Sequence, residues 1–155
     1  MTNYYGTDQI DQIDQAKLKL PDYSRIYSQK GDDVIIVSYA YVQGDEGNDI
    51  ITDLTGSSIM DYYASPKGIV ANLQTGSVSD GYGTKDTLIG FHEIQGSNFA
   101  DSIYGSSGSD RFSLNKGDDF LDGQGGFDLL SMFYSIDNYT IKYYKDYLTI
   151  INKIK

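Results

Sequence analysis

The chain has no cysteine among its 155 residues. That removes any disulfide framework and any thiolate metal site. It does not remove an extracellular home, provided metal ions do the stapling. Histidine is almost as scarce: His92 stands alone. One imidazole cannot make the paired-histidine zinc motif HExxH, which is absent, and Ser-His-Asp chemistry would rest on that residue by itself. No apolar run approaches the roughly eighteen residues of a membrane-spanning helix. The first nine residues, MTNYYGTDQ, are polar and give no secretory signal peptide. Positive charge is in short supply as well, with 12 Lys and Arg against 22 Asp and Glu, a net charge of −10 and a pI near 4.3. Nucleic acid and anionic membrane surfaces are poor partners for such a balance. An acidic chain can also be a disordered, solvating one. A hydrophobic fraction of 39% and 15 tyrosines exclude that reading. The length fits one domain.

What the chain does have is a period. Residues 96–131 read GSNFADSIY, GSSGSDRFS, LNKGDDFLD and GQGGFDLLS, four blocks of nine without an insertion. Each has aspartate at its sixth place (Asp101, Asp110, Asp119, Asp128) and a large apolar residue at its eighth (Ile103, Phe112, Leu121, Leu130). Three have glycine at the fourth: Gly108, Gly117 and Gly126. A fixed period in three properties marks a solenoid.

Nine residues make half a coil, six of turn and three of strand. Two halves return the chain to the same edge one strand spacing on, about 4.8 Å. Asp101 and Asp119 then stack on one edge, and Asp110 and Asp128 on the other. Carboxylates about 5 Å apart repel by roughly 0.8 kcal/mol even at the dielectric of water. A ladder of such pairs calls for a cation between its rungs. With oxygen ligands only, calcium suits best, since it accepts irregular cages of six to eight oxygens at about 2.3–2.6 Å. Glycine lets successive turn carbonyls point into one loop. The eighth residue is the one that faces inward, filling a narrow core between two stacked sheets. The expected fold is all-β, a parallel β-roll.

This pattern resembles the calcium-binding nonapeptide repeat of RTX (hemolysin-type) proteins, G-G-x-G-x-D-x-U-x with U a large apolar residue. GSSGSDRFS at 105–113 and GDEGNDIIT at 44–52 match it best, and the run 80–105 is similar to the lead-in of such domains. The resemblance extends from about residue 28 to 131. It implies that one turn supplies its sixth-place Asp with the carbonyls of its second and fourth places. The turn eighteen residues later supplies its Asp with the carbonyls of its first and third places. One ion would then take Asp101, Asp119 and the carbonyls of Ser97, Phe99, Leu114 and Lys116. A second would take Asp110, Asp128 and the carbonyls of Ser106, Gly108, Gly123 and Gly125. Phe99, Leu114 and Asn115 replace expected glycines, so the first site is expected to be the strained or weaker one. The resemblance also implies type I secretion from a Gram-negative cell and folding in calcium outside it.

The remaining segments are less regular. Residues 1–27 read as an amphipathic helix or an irregular first coil, and in either case as a cap, because a solenoid end exposes an apolar cross-section. Residues 28–60 hold the first repeats, with Gly31 and Asp33, then Gly44, Gly47 and Asp49, spaced for a further shared ion although sixteen residues apart. Ser58 stands where the next aspartate belongs. Residues 61–86 break the period and read as a strand or hairpin excursion. It returns at Asp86, fifteen residues before Asp101, a spacing that allows a calcium between turns 81–86 and 96–101 without requiring one. His92 falls at a sixth place, most simply as a polar residue of a metal-free half-turn. After 87–131, residues 132–155 turn to alternation. NYTIKYY and YLTII flank Lys145 and Asp146 as a terminal antiparallel hairpin, placed to cover the outward Phe120 or Leu129.

A narrow roll buries little apolar area and is marginal without its ions. The sequence therefore points to a calcium-binding module, with several Ca²⁺, that folds on binding the ion, and the RTX resemblance implies that it stabilises or assists export of a larger secreted protein. No catalytic constellation is visible. The alternatives are an extracellular module that holds a glycan or another surface through tyrosines and, further off, a polysaccharide-modifying solenoid.

Overall fold

The computed structural model describes residues 1–132 and, as backbone strands, 139–143 and 148–152. It is all-β among the described residues, a parallel roll of about seven coils. One sheet has seven strands, in the order β1 (Asn3–Tyr5), β3 (Arg25–Tyr27), β5 (Tyr41–Gln43), β7 (Ile59–Asp61), β11 (Glu93–Gln95), β13 (Arg111–Leu114) and β15 (Leu129–Met132). The facing sheet begins with β2 (Gln12–Asp14), β4 (Val34–Val37) and β6 (Ile50–Asp53). It continues through β10 (Lys85–Ile89), β9 (Ser77–Ser79) and β8 (Val70–Asn72) to β12 (Ser102–Tyr104) and β14 (Asp118–Asp122).

The strands are short because each needs to turn only one side chain inward. Register stacks these into two columns. Tyr4, Ile26, Val42, Met60, Ile94, Phe112 and Leu130 line one sheet. Ile13, Ile35, Ile51 and Leu88, then Ala71, Ile103 and Leu121, line the other. Most are fully buried, Ile26, Ile35, Val42, Ile51, Met60, Ile94 and Ile103 at 0%. The β-branched content fits this pleated stack, where each side chain packs on its own equivalent one coil away.

The first 27 residues, expected as a cap, are the first coil and the opening strand of the second, with β1 on β3 and β2 on β4 in parallel register. The break at 61–86 takes a specific form. It does not leave the roll: β8, β9 and β10 enter the sheet between β6 and β12, and β9 runs antiparallel to both neighbours. Three strands thus stand where one coil would place one, adding two spacings or roughly 10 Å to that sheet.

Strands β16 (Tyr139–Tyr143) and β17 (Leu148–Asn152) pair antiparallel, and β17 pairs with β14. The expected turn at Lys145 and Asp146 lies outside the described residues. Phe120 packs its ring on Tyr104, 5.4 Å between centroids, and Leu129 is half exposed.

Since Phe112 is 1% exposed at the centre of its column, Phe112→Ala is expected to lower the stability of the calcium-loaded roll by about 3–5 kcal/mol. Ile50→Ser, on an outward residue that is 46% exposed, should stay within about 0.5 kcal/mol. Urea unfolding of both variants gives the comparison.

Candidate metal centre

The turns that join the two sheets stack along two edges. On the first, each sixth-place aspartate sits beneath the backbone of the coil before it and accepts its N–H. Asp33 Oδ1 accepts from Asp11 N at 2.7 Å, Asp49 Oδ1 from Asp33 N at 2.9 Å, and Asp86 Oδ1 from Asp49 N at 3.2 Å. Further along, Asp101 Oδ1 accepts from Ile69 N at 2.9 Å and Asp119 Oδ1 from Asp101 N at 3.0 Å. On the second edge Asp128 Oδ1 accepts from Asp110 N at 3.0 Å. The structure therefore brings together both expected pairs, Asp101 with Asp119 and Asp110 with Asp128. It also seats Asp33 beside Asp49, despite their sixteen-residue spacing.

Asp86 is placed differently from expectation. Its neighbour is Asp49, across 37 residues, and not the 96–101 turn. The inserted strands explain this: β10 pairs with β6, while β8 holds the place beside β12. The first-edge ladder is thereby cut into Asp11–Asp33–Asp49–Asp86 and Asp101–Asp119. Spacing along the sequence could not show it, because the three strands fold back within the sheet.

In Asp49, Asp101, Asp110 and Asp128 the second oxygen turns under its own loop. Ser97 N donates to Asp101 Oδ2 at 2.9 Å and Ser106 N to Asp110 Oδ2 at 2.5 Å. This fixes the first-place glycine. A Cβ on Gly44, Gly96 or Gly123 would lie 2.2–2.4 Å from the Oδ2 of Asp49, Asp101 or Asp128. The fourth place is tight for another reason, since the carbonyl of the preceding coil points at it. A Cβ on Gly47 would meet Gly31 O at 1.9 Å, one on Gly117 would meet Phe99 O at 2.4 Å, and one on Gly126 would meet Gly108 O at 2.3 Å. Gly117 and Gly126 also have positive φ, 126° and 95°. Phe99, Leu114 and Asn115 do not, so their side chains occupy glycine places without left-handed backbone. Asn115 Nδ2 reaches back to Gly96 O at 2.7 Å and ties the two turns together. Leu114 is buried in the core, Lys116 is exposed, and the Ser106 carbonyl accepts Gly125 N at 3.1 Å.

Among the described residues three carboxylate oxygens are buried with no hydrogen-bond partner: Asp33 Oδ2, Asp49 Oδ2 and Asp119 Oδ2. Buried acceptors are ordinarily hydrogen-bonded, and an unpaired one costs its desolvation. Burial pushes Asp49 up to about 8 and Asp86 and Asp119 to about 7, and raises Asp33 and Asp101 too; neighbouring carboxylates add to it for Asp49 and Asp119. Among the described residues no three of His, Cys, Asp or Glu gather round one point. A cation here needs main-chain oxygens beside its aspartates, and that donor set suits calcium.

Other oxygens of the ladders are already engaged. Asp86 Oδ2 accepts the hydroxyl of buried Tyr62 at 2.7 Å. Asp110 Oδ1 takes Ser106 Oγ at 3.1 Å and faces His92 Nδ1 at 3.0 Å. His92, read from sequence as a polar residue of a metal-free half-turn, is thus a rung partner of Asp110. Sequence reasoning also missed Tyr62, whose signal was only an apolar-compatible residue after Asp61. Ser58 does half of an aspartate's work: its Oγ accepts Ala40 N at 3.2 Å, but it has no second oxygen.

A parallel roll with aspartate ladders on its turns is the architecture of a calcium-binding β-roll. Residues 95–130 match the RTX calcium-binding nonapeptide repeat in four copies, so this stretch is an RTX array, and RTX repeats bind Ca²⁺. No curated protein matches the chain.

The raised carboxylates set a pH dependence. Such a group holds its proton more tightly folded than unfolded, where its pKa is about 3.9. Its contribution to the calcium-free roll is complete below about pH 4 and is lost as pH rises through about 7–8, where Asp86, Asp119 and Asp49 ionise. The folded fraction in chelator, read by far-UV circular dichroism, should therefore fall across this window. Calcium should bind more tightly over the same rise, because it displaces those protons. Asp49→Asn should flatten both trends.

Proposed function

We propose that this chain is a non-catalytic calcium-binding β-roll module that folds when calcium binds, and so stabilises or assists the export of a secreted bacterial protein. The observation that carries the reading is the set of buried, unpartnered oxygens on Asp33, Asp49 and Asp119. Without a cation these turns hold desolvated carboxylates above a core one side chain deep. With it, the binding free energy becomes folding free energy. Such a chain stays open where calcium is scarce and closes where it is plentiful. RTX repeats are typical of secreted proteins, which agrees with an export role.

The ions are assigned to Asp101 and Asp119 with the carbonyls of Ser97, Phe99, Leu114 and Lys116, and to Asp110 and Asp128 with those of Ser106, Gly108, Gly123 and Gly125. A third lies between Asp33 and Asp49, near Gly31 and Gly44. The orphaned oxygens favour the Asp119 and Asp33–Asp49 positions as those where an ion relieves most. At Asp110, Ser106 and His92 already supply donors.

The test is far-UV circular dichroism of chelated protein during a calcium titration, with magnesium as control. A cooperative coil-to-β transition with calcium alone is expected. A chain already β in chelator, and indifferent to calcium, would make the repeats architecture only. Asp119→Asn should move the calcium midpoint about tenfold higher, on the order of the 1.4 kcal/mol that one weakened charged ligand represents.

A further inference from the structure

The outer face of the seven-stranded sheet carries a shallow trough of about 610 Å³, away from both calcium edges. Register lays Tyr27, Gln43, Asp61, Gln95 and Ser113 in one row across five consecutive strands. At about 4.8 Å per strand the row is roughly 19 Å long. It places a phenol ring at one end and then a polar side chain at every step, of which Asp61 is only 6% exposed. In the neighbouring row Tyr41 adds a second ring, and Tyr63, half exposed, stands at the rim.

Two features show that this row is ordered before any ligand arrives. Tyr27 is stacked on Tyr5, 5.0 Å between centroids and 11° between planes, and the Arg25 guanidinium lies 4.9 Å from the centre of the Tyr41 ring. Gln43 Nε2 donates to Asp61 Oδ2 at 2.8 Å, and Tyr63 N to Asp61 Oδ1 at 2.9 Å. Rings and amides fixed in advance lose little freedom on binding. Gln95 and Ser113 keep side chains without a hydrogen bond among the described residues.

The chemistry of the lining selects the occupant. Ile59 is the one aliphatic side chain in it, so the trough is no seat for an apolar helix or a greasy second copy. Arg25 stands against Asp61 and Glu93 in a molecule of net charge −10, which disfavours polyanions. Flat rings and amides at regular spacing, with the buried Asp61 carboxylate spent on holding Gln43 and Tyr63 in place, complement an extended chain with hydroxyls on its edges and C–H groups on its faces. We infer that this face binds a neutral oligosaccharide, lying across the strands along the Tyr27–Ser113 row.

The inference needs a folded roll but no particular ion assignment. Its test uses the calcium-loaded full chain, with circular dichroism confirming the fold of every sample. Hexaoses of β-linked glucose, xylose and N-acetylglucosamine are titrated calorimetrically, beside a uronate hexamer. Binding of at least one neutral hexaose is expected. Loss of the ring in Tyr41→Ala should weaken it about 3- to 10-fold, and Gln95→Ala several-fold, with Ile50→Ser on the opposite sheet leaving it unchanged. Absence of binding to every neutral hexaose at about 10 mM, weaker than the −4 kcal/mol of a millimolar complex, overturns the proposal. So does preference for the uronate, binding that ignores both variants, or self-association abolished by Tyr41→Ala. A roll that fails to fold with calcium would instead show in the dichroism, and would count against the calcium reading.

Discussion

Everything in this roll depends on a buried carboxylate placed under the backbone of the coil before it. One oxygen of buried Asp33, Asp49, Asp86 or Asp119, and of the partly buried Asp128, accepts an N–H from the neighbouring coil. That bond sets the coil spacing at the turns as the β-ladder sets it in the strands. The same side chain must put its second oxygen somewhere, and the turn folds over it. The first-place glycine follows, because a Cβ would strike that oxygen. So does the conflict at the centre of the protein: the feature that joins the coils also buries charge. An ion in the turn removes the cost without breaking the bond to the coil above.

The insertion at β8–β10 shows how far this constraint reaches. Two extra strands spread one sheet while the other keeps its pace. A ladder cannot run unbroken across such a gap. Each cut end is closed by something other than aspartate: Tyr62 gives its hydroxyl to Asp86, and the backbone N–H of Ile69 serves Asp101. On the second edge the substitutions run the other way. Ser24, Ala40, Ser58 and His92 precede the strands there, and only Asp110 and Asp128 complete the pattern. The first edge is therefore acidic along most of the roll, and the second only at its C-terminal end.

Much of this was legible in the sequence because the repeat is physical at each place. Asp at six, an apolar residue at eight and glycine in the turn each answer a separate requirement, and Ile103, Phe112 and Leu121 stand inward as their phase demands. Residues 28–60 were readable for the same reason even with a half-coil shortened. The first coil was harder, since Gly6, Asp11 and Ile13 carry the pattern once, among polar neighbours that suit a helix as well. The meander was beyond reach. A strand pattern such as GIVANL states that a strand forms, not which edge it joins, and the partner of Asp86 follows from that choice alone. The contacts of Tyr62 and His92 were hidden likewise, because both arise between segments that the period does not relate.

The two faces of the molecule are coupled through the coil spacing. The side chains of Tyr27, Gln43, Asp61, Gln95 and Ser113 come from five coils, so no short segment holds more than one of them. Their mutual distances are fixed by the strand ladder, and the ladder by the turns at its ends. A ligand that spans the row therefore binds only the assembled roll, and by linkage stabilises it, as an ion in the turns does. Each then assists the other, since both draw on the one ordering cost of assembling the roll.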